Sequence, residues 1–215
     1  MTHAERMHRF AQADLYVVIT EAFCAGRRAI DVLDAVLDAG VTLVQFREKD
    51  FEAGELYVRA TAFRERTKAR ALLIIDDRID IALAVGADGV HLGQNDLPIL
   101  AARAIGQELI IGASSHSLDE ALSAQDAGAS YVNIGPIFST QTKRVSSGVV
   151  GPELIDTIRP HLRIPFTTMG GIKLHNISEV VRRGARHVAV VTAVTEAVDP
   201  RAAATALRDA IGLAR

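Results

Sequence analysis

Short apolar runs recur along the chain, and each is followed by a stretch whose apolar positions fall at helical spacing. Residues 15–20 form the first β-branched run. Residues 29–39 follow, with Ile30, Leu33, Val36 and Leu37 on one side, and Gly40 ends them. The pattern then predicts a strand over 43–47 and a helix over 54–68 carrying Leu56, Ala60 and Phe63 on one face. A third strand falls at 71–75 with a short helix at 79–85. A fourth falls at 89–92, with a helix opening at Pro98, a good first helical residue. The remaining strands are predicted over 109–112, 131–134, 165–168 and 187–191. Helices are expected over 118–127, 152–158, 175–183 and 200–213.

Eight such alternations, with no composition shift or linker, predict α/β architecture and one closed (β/α)8 barrel. Residues 1–215 are expected to form a single domain, with 1–13 an N-terminal extension that can be helical. An open doubly wound sheet would call for a glycine-rich first turn, and 16–27 contains no GxGxxG.

Composition narrows the functional classes. Nearly half the residues are apolar and Trp is absent, which suits an aliphatic core. The net charge of −2, without a basic block, argues against nucleic acid. Cys24 is the only cysteine, so an internal disulfide and a CxxC metal site are excluded, and nothing nearby suggests an activated thiolate. No apolar run approaches membrane-spanning length, and the start lacks a signal-peptide pattern, so a cytoplasmic location is expected. A homodimer is compatible with the chain.

Barrel enzymes place their working groups at the carboxyl ends of strands and in the loops that follow. The second strand ends in Gln45-Phe46-Arg47-Glu48-Lys49, where alternation sets Gln45, Arg47 and Lys49 on one face and Phe46 and Glu48 on the other. Two cations on one face of a buried strand call for an anion opposite, unless the strand simply ends in solvent. Later strand ends add Asp76-Asp77, then Gln94 and Asp96, then Ser114 and His116, and the polar stretch 139–143. Arg47, Lys49 and Lys143 suit a phosphate or diphosphate, and Asp77 and Asp96 are hard oxygen donors suited to Mg²⁺. Gly170-Gly171 and Val191-Thr192, after the last two strands, fit the phosphate site common in barrels. Structural duties compete with these roles. Asp76, Asp77 and Asp96 also suit helix N-termini, and 114–117 reads equally as an N-cap cluster. His91 reads as a satisfied core histidine, His116 is better placed for function, and the other histidines share no metal spacing.

Four segments carry a family resemblance: Val44-Gln45-Phe46-Arg47-Glu48-Lys49, Ile75-Asp76-Asp77-Arg78-Ile79-Asp80-Ile81-Ala82, Val90-His91-Leu92-Gly93-Gln94-Asn95-Asp96-Leu97-Pro98 and Gly135-Pro136-Ile137-Phe138-Ser139-Thr140-Gln141-Thr142-Lys143. In this order the chain resembles the thiamine phosphate synthases from about 15 to about 200. The resemblance implies a transferase joining hydroxymethylpyrimidine diphosphate to a thiazole phosphate, with Mg²⁺, to give thiamine monophosphate and diphosphate. It assigns Gln45, Arg47, Lys49, Ser114 and Lys143 to the pyrimidine diphosphate, and adds Phe46, Glu48 and Asp76 to the substrate-binding set. Arg47, Lys49, Ser114 and Lys143 would carry the chemistry. Asp77 and Asp96 would take the metal, and Thr140, Gln141, Thr142, Gly171, Val191 and Thr192 would hold the thiazole phosphate. The chain departs from the family's usual residues in having Asp76 for Asn, Thr192 for Ser and Ser139 for Pro.

Three rivals share parts of this pattern. A thiazole tautomerase of the same superfamily would use His116 as acid–base and would have no use for the metal pair. A sugar-phosphate isomerase or epimerase would share only the late phosphate site. A non-catalytic paralogue would bind phosphate without turnover. The long polar stretch 140–148 also suits a lid over substrate.

Overall fold

The computed structural model describes residues 1–140, 142 and 148–215. Eight parallel strands close into a barrel in chain order, β1 (Leu15–Ile19), β2 (Leu43–Phe46), β3 (Leu72–Asp76), β4 (Gly89–Leu92), β5 (Ile110–Ser115), β6 (Tyr131–Ile134), β7 (Phe166–Thr168) and β8 (His187–Val190). The expected fold class is the observed one. Between the strands run α2 (Ala29–Asp38), α3 (Ala53–Thr67), α4 (Ile79–Val85), α5 (Ile99–Ile105), α6 (Leu118–Asp126), α7 (Glu153–Ile158) and α8 (Ile177–Arg182), while α10 (Pro200–Ala214) closes the ring.

Period-two alternation divides the hydrophobic residues into two cores. Outward side chains such as Val17, Val44, Phe46, Leu73, Ile75 and Val132 pack beneath the helices in one large cluster. Inward side chains, among them Tyr16, Val18, Leu43, Leu72, Ile74 and Tyr131, fill the barrel itself. The space for Tyr131 comes from Gly112 on the neighbouring strand, where a Cβ would fall on the tyrosine ring.

Among the described residues, two α-helices lie outside the predicted strand–helix alternation. The first, α1 (His3–Gln12), opens on a Thr2–Glu5 capping box. It buries Phe10 against the floor of the inner core, stacked 4.9 Å from the Tyr131 ring and tilted at 4.7 Å from that of His187. The second, α9 (Thr192–Thr195), is a single turn directly after β8. Strand β5 runs three residues past its predicted end. Ser114 and Ser115 therefore lie on the strand, and Ser117 alone is the N-cap of α6, accepting from Glu120 N at 3.2 Å.

Candidate active site

Inward-facing positions near the carboxyl ends of the strands stop being apolar. Gln45, Asp76, His91, Ser114, Asn133 and Thr167 are all buried, and the register aligns Asp76 with His91, Ser114 with Asn133 and Asn133 with Thr167. Six buried polar side chains gathered toward one end of a barrel would be costly without partners or a ligand. All of them but Thr167 line a small lobe of about 70 Å³, together with Arg47. A larger lobe of about 660 Å³ adjoins it through shared Thr140, Thr142, Met169 and Gly170. Its walls include Gly171, Lys173, Val191 and Thr192.

The expected cation cluster has an internal anion. Lys49 Nζ lies 2.8 Å from Asp76 Oδ2 and also meets Asp77, and Arg47 Nε is 3.7 Å from the same Asp76 oxygen. Asp76 ends β3, and Asp77 turns the chain with a φ of 58°, a left-handed conformation that Asp tolerates better than most residues. Neither aspartate bonds the N-terminus of α4, whose N-cap residue is Arg78 without a side-chain cap. Asp96 does not cap α5 either; its Oδ2 accepts from Gly93 N at 2.6 Å, bracing the loop after β4.

Two expected substrate contacts point elsewhere. The Phe46 ring packs 4.5 Å from Phe63 in the outer core. Glu48 Oε1 accepts from Glu21 N at 2.7 Å, and burial pushes its carboxyl above the usual range. Neither lines either lobe. The period of two that turns Gln45 and Arg47 inward turns these two side chains outward. Gln141 and Lys143 lie outside the described residues, as does most of the stretch expected to form a lid. Cys24 matches the inert reading: it is buried, burial pushes its thiol up to about 11, and Sγ donates to Thr20 O.

Two residues with no assigned role, Lys173 and Asn133, also reach the site, beside others that the sequence singled out. Lys173 lines the larger lobe just past the Gly170-Gly171 turn and donates to Thr192 Oγ1 at 2.6 Å. Gly170 and Gly171 both have positive φ, and a Cβ on Gly171 would strike the backbone at Phe138 and Ser139. Asn133 enters the small lobe with its Oδ1 already accepting from Thr167 at 2.8 Å. His116 lines that lobe too, and its Nδ1 lies 2.8 Å from Glu120 Oε2. The alternation rule applied to every strand would have found Asn133. Lys173 follows a glycine turn rather than a strand and carries no periodic signal.

The donor set suits a hard divalent cation. Asp77 and Asp96 offer carboxylate oxygens beside consecutive strands, and the Lys49 ammonium already rests on Asp76 and Asp77 as a counter-cation. Among the described residues no group of three or more His, Cys, Asp or Glu could hold a metal. Phosphate oxygens would have to complete a shell, as is common for Mg²⁺.

A closed eight-stranded barrel with charged and polar side chains gathered at its carboxyl rim defines a (β/α)8-barrel enzyme. The family model for thiamine monophosphate synthase matches residues 15–194. A thiamine-phosphate synthase of Pelotomaculum thermopropionicum is 41% identical over 92% of this chain and 91% of its own. One from Chloroflexus aurantiacus is 44% identical over 90% of each. The solved structure of a Pyrococcus furiosus thiamine phosphate pyrophosphorylase superposes with a TM-score of 0.89 at 36% identity, covering 96% of this chain and 98% of that one. The chain belongs to the thiamine monophosphate synthase family, and with it to the transferases of thiamine biosynthesis. Among the described residues no helix is long and apolar enough to cross a membrane.

Proposed function

We propose that the two lobes hold the two substrates of a condensation, a pyrimidine diphosphate in the smaller and a thiazole phosphate in the larger, and that the product is thiamine monophosphate. The observation that carries this reading is the Arg47–Lys49–Asp76–Asp77 cluster beside a small polar lobe that Arg47 and Asp76 help to line. Asp77 and Asp96 would hold Mg²⁺, which supplies positive charge against the diphosphate when bound.

The bond that breaks joins the pyrimidine's methylene carbon to the diphosphate oxygen, and the electron pair leaves with the diphosphate. The thiazole nitrogen lone pair then forms the new carbon–nitrogen bond. Arg47 and Lys49, with Lys143 from the adjoining segment, would stabilise charge on the leaving group, which is catalysis by preorganised electrostatics. Holding the second substrate in the adjoining lobe would supply alignment. Purified protein given both substrates and Mg²⁺ should form thiamine monophosphate by mass spectrometry, and EDTA should abolish it. Absence of product with both substrates bound would remove the reading.

Lys173 is the side chain that supports a phosphate site in the larger lobe most directly. It lies beside the Gly170-Gly171 turn, against Thr192. A charge-assisted hydrogen bond is worth about 1.5–3 kcal/mol, so Lys173→Ala should raise KM for the thiazole phosphate by about 10- to 100-fold. KM for the pyrimidine diphosphate should stay within about twofold, because Lys173 does not line the small lobe. Steady-state kinetics with each substrate varied in turn check this.

A further inference from the structure

Below the small lobe, five side chains from five strands form an unbroken chain of hydrogen bonds. Gln45 Nε2 donates to Tyr16 OH at 2.7 Å, and Tyr16 OH lies 3.1 Å from Tyr131 OH. Tyr131 OH lies 2.9 Å from His91 Nδ1, and His91 Nε2 lies 3.0 Å from Ser114 Oγ. Both ends of the chain, Gln45 and Ser114, line the lobe, whereas Tyr16 and Tyr131 are enclosed in the inner core.

The chain has a direction. Each phenol has a single proton to give, and burial holds both phenols well above their ordinary range, so both keep that proton. Since Tyr16 oxygen accepts from Gln45, its proton goes to Tyr131 oxygen. The Tyr131 proton then goes to His91 Nδ1, which makes the imidazole the Nε2–H tautomer. Nε2–H donates to Ser114 Oγ, and the serine proton is left for the lobe. At the other end, Gln45 Nε2 is committed to Tyr16, so its carbonyl oxygen is left for the lobe.

We propose that Tyr16, Tyr131 and His91 are positioning residues that fix the polarity of the small lobe, presenting a hydrogen-bond acceptor at Gln45 and a donor at Ser114. A ligand matching this lobe offers a donor to Gln45 and an acceptor to Ser114, which a heterocycle with an exocyclic amine does and its oxo analogue does not. This ligand assignment rests on the reading that the small lobe holds the pyrimidine ring; the tautomer does not. If either end reversed, every bond between would have to reverse with it.

The test separates the two. In substrate-free protein, ¹⁵N–¹H correlation spectra of the imidazoles should show His91 protonated at Nε2 and bare at Nδ1; protonation at Nδ1 would overturn the proposal whatever the enzyme does. Tyr131→Phe removes one hydroxyl while keeping the ring that stacks on Phe10. It should raise KM for the pyrimidine diphosphate at least tenfold, leave KM for the thiazole phosphate unchanged, and turn His91 into a mixture of tautomers. Tyr16→Phe should reproduce the KM effect from the other side of the break. A fall in thermal stability with both KM values unchanged would make the chain purely structural. If the wild type forms no thiamine monophosphate while His91 shows the Nε2–H form, the substrate reading fails and the polarity of the lobe stands.

Discussion

Arg47→Ala should lower kcat/KM for the pyrimidine diphosphate by about 10²–10³-fold, the range seen when one preorganised donor to a developing anion is lost. Arg47 follows β2 on the inward side, lines the small lobe and has its guanidinium held 3.7 Å from buried Asp76. Its position is therefore set before any ligand arrives, and that is what makes a cation worth more in the transition state than a mobile surface charge. Removal leaves Asp76 to Lys49 alone, so the diphosphate would meet a more negative wall as well as one donor fewer. Arg47→Lys keeps the charge but not the planar fork, and should recover only part of the loss. Kinetics on both variants, with thermal melts to show an intact fold, measure the effect. A change of less than about threefold in the alanine variant would mean that the leaving group is stabilised elsewhere.

The barrel was legible because each alternation carries its own punctuation. Gly40, Gly128 and Gly184 each follow a helix with positive φ, and an apolar strand comes soon after each. Strand parity was legible as well, and the structure shows where it was not carried through. Gln45 and Arg47 face the lobe as alternation requires, whereas Phe46 and Glu48 obey the same alternation by facing away. A motif is a run of consecutive residues, and on a strand only every second one can reach a common ligand. Ser114 and Ser115 fall beyond the strand that the apolar run at 109–112 predicts, in a stretch that reads equally as an N-cap cluster. Inside a barrel a polar side chain is stable once another strand supplies its partner, as His91 does for Ser114. No local pattern announces that partnership, since the two residues are 23 positions apart. The same holds for α1, whose plug of Phe10 makes sense only with Tyr131 and His187 in place.

The largest stability effect is expected at the opposite end of the barrel, at Asp88. This carboxylate precedes β4 and is fully buried; its Oδ2 accepts from Leu73 N at 2.9 Å and from Arg64 at 2.8 Å. Arg6, carried in by α1, brings a second guanidinium to 3.6 Å. Asp88 therefore joins β3, α3 and α1 through one side chain. Deleting it leaves two largely buried cations without their anion and strands a backbone donor, so Asp88→Ala should cost about 3–5 kcal/mol. Asp88→Asn keeps the shape and can still accept from Leu73, so it should cost less, and the difference measures the charge. Urea denaturation of the two variants against wild type checks both values. The small lobe lies at the far rim, so kinetics on whatever fraction stays folded should be near wild type. Equal losses in the two variants would show that shape and the backbone hydrogen bond, rather than the ion pair, hold this end of the barrel together.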